Sequence, residues 1–307
     1  MDESWLALDT SKANEIVVKH LEDFVSLTIK GFLLTASIAV AAVSENGQVE
    51  ILGKTFDSAT AAPLVSVLFL ATFAAIAVHG LNVLFASSYL SSSKTEAKSW
   101  YLDVFLKPGI LSPLACWPGR FGSLCSAVSY GFPFLLWWGM DTVQARFHAE
   151  QSYMMWRYAF IALGVAVGWI MGFSYVRLYI KLRDLRDLQR YVGTVGILKL
   201  VAATLFTWIG YTAYLADRGG WPSLPEAVDV VLAYPFAYTL PAWALMSLRV
   251  VVGFSVLVLL GGAWAFLADA ESSAWPAALI GATGLSFAGW KCFPSNARSR
   301  VAPKGAR

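Results

Sequence analysis

Apolar residues run in long, nearly unbroken stretches along this chain, and polar residues collect between them. A helix needs about 20 mostly apolar residues to cross about 30 Å of hydrocarbon. Eight stretches qualify: 24–43, 63–86, 121–140, 158–178, 195–215, 226–245, 249–268 and 274–292. They are continuous rather than ten-residue alternations, which argues against a β-barrel. Pro63 lies near the start of its segment, where a missing N–H does no harm. The sixth segment is the weakest, because Pro235 and Pro241 interrupt it and Asp229 lies inside it. It reads as a broken or re-entrant helix unless neighbours satisfy the freed carbonyls. The predicted fold is therefore an all-α, polytopic integral membrane bundle of about eight transmembrane helices. Six crossings are the fallback if a second segment also re-enters.

Lys and Arg set the orientation. With the N-terminus cytoplasmic, 19 of the 23 basic residues fall on the inner side and only Lys54, Arg146, Arg157 and Arg218 fall outside. Such asymmetry in short loops is the positive-inside pattern. Both termini are expected in the cytoplasm, and the basic tail keeps that side only if the sixth segment crosses. The small-x-small run Ser37-Ile38-Ala39-Val40-Ala41 resembles a signal-peptidase site. The long acidic lead before it and Lys30 within the apolar run favour a retained span.

Three regions follow. Residues 1–23 form a cytoplasmic amphipathic segment, in which Ile16, Val17, His20, Leu21 and Phe24 share a face over 14–24. This reads as an interfacial lead-in to the first span, or as a gating or partner-binding helix. Residues 24–292 hold the membrane domain. Its cytoplasmic loop, 91–120, carries Trp100, Tyr101, Phe105 and Trp117 among basic residues and suits a segment lying on headgroups. A basic extension of the fourth helix is expected over 177–193, against an anionic leaflet or a second subunit. Residues 293–307 are a basic tail. Outside, GQVEILGKTF over 47–56 alternates loosely and predicts a hairpin. Trp residues near segment ends, among them Trp137 and Trp138, fit an interfacial belt.

Composition sharpens this picture. Only 14% of residues are charged and 57% are apolar, against about 25% charged in soluble domains. This excludes a disordered chain, and it argues against a soluble enzyme. Three cysteines make no disulfide framework, and no Asn-x-Ser/Thr sequon is present. HExxH, Walker A and GxSxG motifs are absent, so the sequence favours a non-enzymatic protein. Nucleic-acid binding is set aside because no groove-reading motif accompanies the basic aromatic loop.

The sharpest motif is Gly164-x-x-x-Gly168-x-x-x-Gly172 in the fourth segment. Glycines four apart clear one helix face, so another backbone can approach closely, within one subunit or between copies. Polar stripes run along three segments: Ala71, Ala75, His79 and Asn82; Ser123, Ser126 and Tyr130; Lys199, Ala203, Thr207 and Tyr211. Such faces turn away from lipid, to bond one another or to line a path. His79, Asn82, Lys199, Thr207, Asp229 and Arg249 are the candidate path-lining residues. Cations in that set would favour anions, since Asp229 is the only acid well inside a proposed span. Haem and metal sites are not expected, because His20 and His148 fall outside the spans that hold His79. No cofactor is expected.

The first functional expectation is an oligomeric channel or pore-type protein in a plasma membrane or a bacterial inner membrane, assembled through the glycine face. Its partners are then lipid and further copies of the chain. A solute transporter using the Pro-broken segment near Asp229 is the alternative. A third reading is a scaffold or sensor that docks a cytoplasmic protein.

Overall fold

A computed structural model describes residues 10–43, 48–51, 54–147 and 150–217, with separate helical positions between 252 and 285. Six α-helices and one hairpin make up the described chain: α1 (Thr10–Val43), β1 (Gln48–Ile51), β2 (Lys54–Asp57), α2 (Ser58–Ala86), α3 (Lys94–Phe105), α4 (Gly119–Phe147), α5 (Glu150–Lys181) and α6 (Arg186–Asp217). Among these, three helices are long and apolar enough to cross a membrane, over Ser11–Val40, Ala61–Tyr89 and Ala162–Lys181. The segments at 226–245, 249–268 and 274–292 lie outside the described residues, apart from isolated positions in the last two. The tail 293–307 lies outside them as well.

The predicted hairpin is present. β1 and β2 are antiparallel, with Gln48 opposite Asp57 and Ile51 opposite Lys54. It folds α2 back along α1. α2 also packs on α5, α4 packs on α6, and α1 touches α4.

Two hydrophobic cores are stacked along the bundle. The middle core joins Phe24, Phe69, Phe73 and Ile76 to Leu136, Trp137, Met140 and Met171. The second, at the α3 end, joins Val17, Leu21, Val83, Trp100, Phe105, Cys116, Tyr175, Leu178, Leu182 and Val192.

Four sequence expectations change here. The amphipathic lead over 14–24 is not a separate helix but the first turns of α1, which runs unbroken for 34 residues. Its apolar face is covered by the α3-end core, so no break relieves it. The loop 91–120 does not lie flat: Trp100, Tyr101 and Phe105 are buried in that core. The basic stretch 177–193 is not one helix. α5 stops at Lys181, a turn closes with the Leu185 N–H bonding the Leu182 carbonyl at 2.8 Å, and α6 begins at Arg186. Leu182, Leu185 and Leu188 keep their apolar contacts by packing on the core end. Trp137 is 2% exposed and belongs to the middle core rather than to a belt.

Basic side chains that read as lipid-facing partly cap α2 instead. Arg177 donates to the Leu84 carbonyl at 3.0 Å, and Lys181 donates to the carbonyls of Ser88, at 2.9 Å, and Leu90. A helix C-terminus leaves such carbonyls without partners and carries partial negative charge, so cations bind well there.

Candidate functional site: a buried connecting segment and a histidine pair

Residues 106–118 connect α3 to α4 and enter the α3 end of the bundle. Ser112, Pro113, Leu114, Ala115 and Cys116 are all buried. Buried main-chain carbonyls need partners, and side chains of the surrounding helices supply them. Lys199 of α6 donates to the Pro113 carbonyl at 3.0 Å. Ser129 of α4 donates to the Ser112 carbonyl at 3.1 Å. Tyr191 of α6 donates to the Trp117 carbonyl, and the Trp117 N–H donates to Ser126 at 2.7 Å. Gly109 and Gly119 take φ of +93° and +81° at the two ends of the segment, a left-handed conformation that favours glycine.

Lys199 is 1% exposed. Its ammonium also lies 5.2 Å from the centroid of the Tyr175 ring and 5.7 Å from that of Tyr130, within cation–π range. Tyr175 donates its hydroxyl to the Val192 carbonyl at 2.8 Å, and the Cys116 thiol, 3.4 Å from that hydroxyl, donates to the Leu114 carbonyl at 3.6 Å. Burial pushes the Cys116 thiol above its ordinary range. It is therefore neutral and acts as a weak donor rather than a nucleophile. Burial also raises the Tyr101 hydroxyl.

The polar stripe of α4 thus meets Lys199, the one described side chain of the α6 stripe, around the buried segment 106–118: Ser123 and Ser126 bond Tyr191 and Trp117, and Tyr130 faces Lys199. Among the described residues the histidine of the α2 stripe pairs elsewhere. His79 Nδ1 stands 3.0 Å from His20 Nδ1 on α1, and Asp23 Oδ2 is 3.7 Å from the same His79 nitrogen. The separation of His20 from His79 expected from sequence is overturned by the unbroken α1. A spacing argument finds the pair once the hairpin is known. His20 lies 23 residues before the end of α1, and His79 lies 21 residues after the start of α2. At about 1.5 Å per residue the two stand at nearly the same height.

The other predicted positions resolve unevenly. Asn82 is half-buried on α2. Gly164 faces its own chain: a Cβ there would sit 3.2 Å from the Trp137 ring. Gly168 and Gly172 are buried. Thr207 is on α6, its side chain outside the described set, and Asp229 and Arg249 lie outside the described residues. Sequence reading missed Gln144 of α4, which is fully buried with neither amide atom hydrogen-bonded among the described residues. The sequence gives it no clear signal, because Asp141, Thr142 and Arg146 stand beside it.

No known protein family matches this chain, and no curated protein or solved structure matches it either.

Proposed function

We propose that the chain is a multi-pass integral membrane protein with both termini cytoplasmic, in a plasma membrane or a bacterial inner membrane. It works as an oligomeric channel-type protein, with eight crossings as its topology. The observation that carries this reading is Gln144. A buried amide without partners costs about 1–3 kcal/mol and is stable in a helical bundle when water or a passing solute bonds it. Half-buried Asn82 and the His79 face extend polar surface along α2. Residues 106–118 fill the α3 end and bond Lys199 there, which supports reading this as the closed state of such a channel. The glycine at 164 is occupied by Trp137 of the same chain, so contacts between copies fall on other surfaces.

The test is flux in proteoliposomes loaded with a potential-sensitive dye. The purified full chain is expected to carry an ion current. Gln144→Leu is expected to reduce it about tenfold, the cost of one polar contact. A monodisperse, inserted preparation that passes no current removes the channel reading.

A second reading has its own observation. The α3 end carries a row of exposed bases, Arg183, Arg186 and Arg190, on a packed and well-bonded base. A docking role for a cytoplasmic protein is supported there. Its test is retention of an acidic soluble partner that is lost when these three residues are neutralised.

A further inference from the structure

We infer that His20, Asp23 and His79 form a binding site for a divalent first-row transition-metal ion, which joins α1 to α2 at the junction of the two cores. The ligand atoms of all three side chains lie within 4.8 Å of one another. Zinc binds imidazole nitrogen and carboxylate oxygen at about 2.0–2.2 Å, so two donors at a tetrahedral angle stand about 3.3 Å apart. The observed 3.0 Å between the two Nδ1 atoms and 3.7 Å from His79 Nδ1 to Asp23 Oδ2 bracket that separation. For these two pairs a shift of a few tenths of an ångström reaches coordination distance, and the third pair, His20 to Asp23, lies within 4.8 Å.

The donor chemistry selects the ion. Two imidazoles and one carboxylate suit Zn2+, Co2+, Ni2+ or Cu2+ rather than Ca2+ or Mg2+, which prefer all-oxygen sets. Three protein ligands leave at least one coordination position to water or to an anion. Among the described residues, protein does not enclose the set, since the Asp23 side chain is 44% exposed and that of His79 is 25% exposed.

Proton bookkeeping is simple. Two Nδ1 atoms at 3.0 Å bond only when one ring carries its proton on Nδ1 and the other offers a lone pair there. An ion needs both lone pairs. The Nδ1 proton of the donor ring therefore moves to Nε2 of that same ring, with no net charge change. The negative carboxylate of Asp23 then offsets one charge of the ion. The rigid frame is already in place: His20 is followed by buried Leu21 and Phe24, and His79 sits between buried Ile76 and Val83.

This site is independent of the conduction reading, because binding is measured without flux. The full chain, purified in mild detergent through a tag that contains no histidine, is titrated with ZnCl2 by calorimetry. One ion per chain is expected, with a rise in melting temperature. X-ray absorption at the zinc edge is expected to show two imidazoles. His20→Gln and His79→Gln should each weaken binding about 100-fold, and Asp23→Asn about tenfold. His148→Gln should change nothing. A variant that fails to fold is replaced by the edge spectrum of the unmodified chain, which reports the ligands directly. Absence of zinc binding, an all-oxygen spectrum, or unchanged affinity in folded His20→Gln and His79→Gln overturns the site.

Discussion

The two cores of the bundle satisfy their polar groups in different ways. In the middle core, hydroxyls bond backward along their own helices: Thr28 to the Phe24 carbonyl, Thr35 to Gly31, Thr72 to Leu68, and Thr142 to Trp138. These bonds need no second element. At the α3 end the bonds cross between elements: Lys199 to Pro113, Tyr191 to Trp117, Tyr175 to Val192, Asn14 to Asp103. The named hydroxyls of the middle are satisfied within their own helices, whereas those of the end tie one element to another. The contrast follows from solvent. Lipid gives little hydrophobic drive between helices, so packing has to serve, whereas a buried connecting segment must find a partner for each carbonyl.

Mutations sort along this line. The largest expected effect is in the middle core, where Trp137→Ala removes a fully buried ring that packs on Gly164. It should cost about 3–5 kcal/mol in an unfolding titration. Next comes Lys199→Met, which keeps the volume but leaves the Pro113 carbonyl bare. A loss of about 1–3 kcal/mol is expected, together with increased flux, since the segment 106–118 loses its α6 tether. Unchanged stability in both variants would erase the distinction between the cores.

A smaller pair of substitutions sharpens it. Tyr175→Phe deletes a bond between α5 and α6 and should cost about 1 kcal/mol. Thr35→Val deletes a hydroxyl that bonds only its own helix, and should stay within about 0.5 kcal/mol. Equal costs would mean that the middle core depends on hydroxyls after all.

The smallest effect is pH dependence. The Cys116 thiol is raised on folding, so folding favours its protonated form. Its contribution is fully present below the ordinary thiol value of 9.0 and is lost as pH rises above it, because the unfolded chain then sheds the proton first. Melting temperature should fall from pH 9 upward, and Cys116→Ala should flatten that fall. In the folded chain a maleimide should label half-exposed Cys125 and spare buried Cys116.

Three of the eight expected spans were legible as helices long and apolar enough to cross a membrane, because hydrocarbon imposes a length. The predicted stretch 63–86 lies within the observed Ala61–Tyr89, and the hairpin over 47–56 is offset by only one residue at each end. It did not reveal what covers each face. Trp100, Tyr101 and Phe105 have the same composition whether they lie on headgroups or fill a core, and only packing against α1, α2 and α5 distinguishes the two. The 177–193 stretch carries helical periodicity on both sides of a turn, because Leu182 and Leu185 serve the same core from either side of the reversal. The histidine pair depends on the register of two helices joined by a hairpin, which no local pattern encodes. Lys199 was visible as a polar position, but its partner, the Pro113 carbonyl, is a main-chain atom in a connecting segment.

The whole account rests on helices that stand across a bilayer with the α3 end on the cytoplasmic face. The most direct test places a single cysteine at exposed Lys98 of α3, or at Lys54 of the hairpin, in a chain whose three native cysteines are alanine. An impermeant maleimide is then applied to intact cells and to inverted vesicles. Labelling of the Lys54 position in cells, and of the Lys98 position only in inverted vesicles, is predicted. Labelling of both positions from the same side would contradict it.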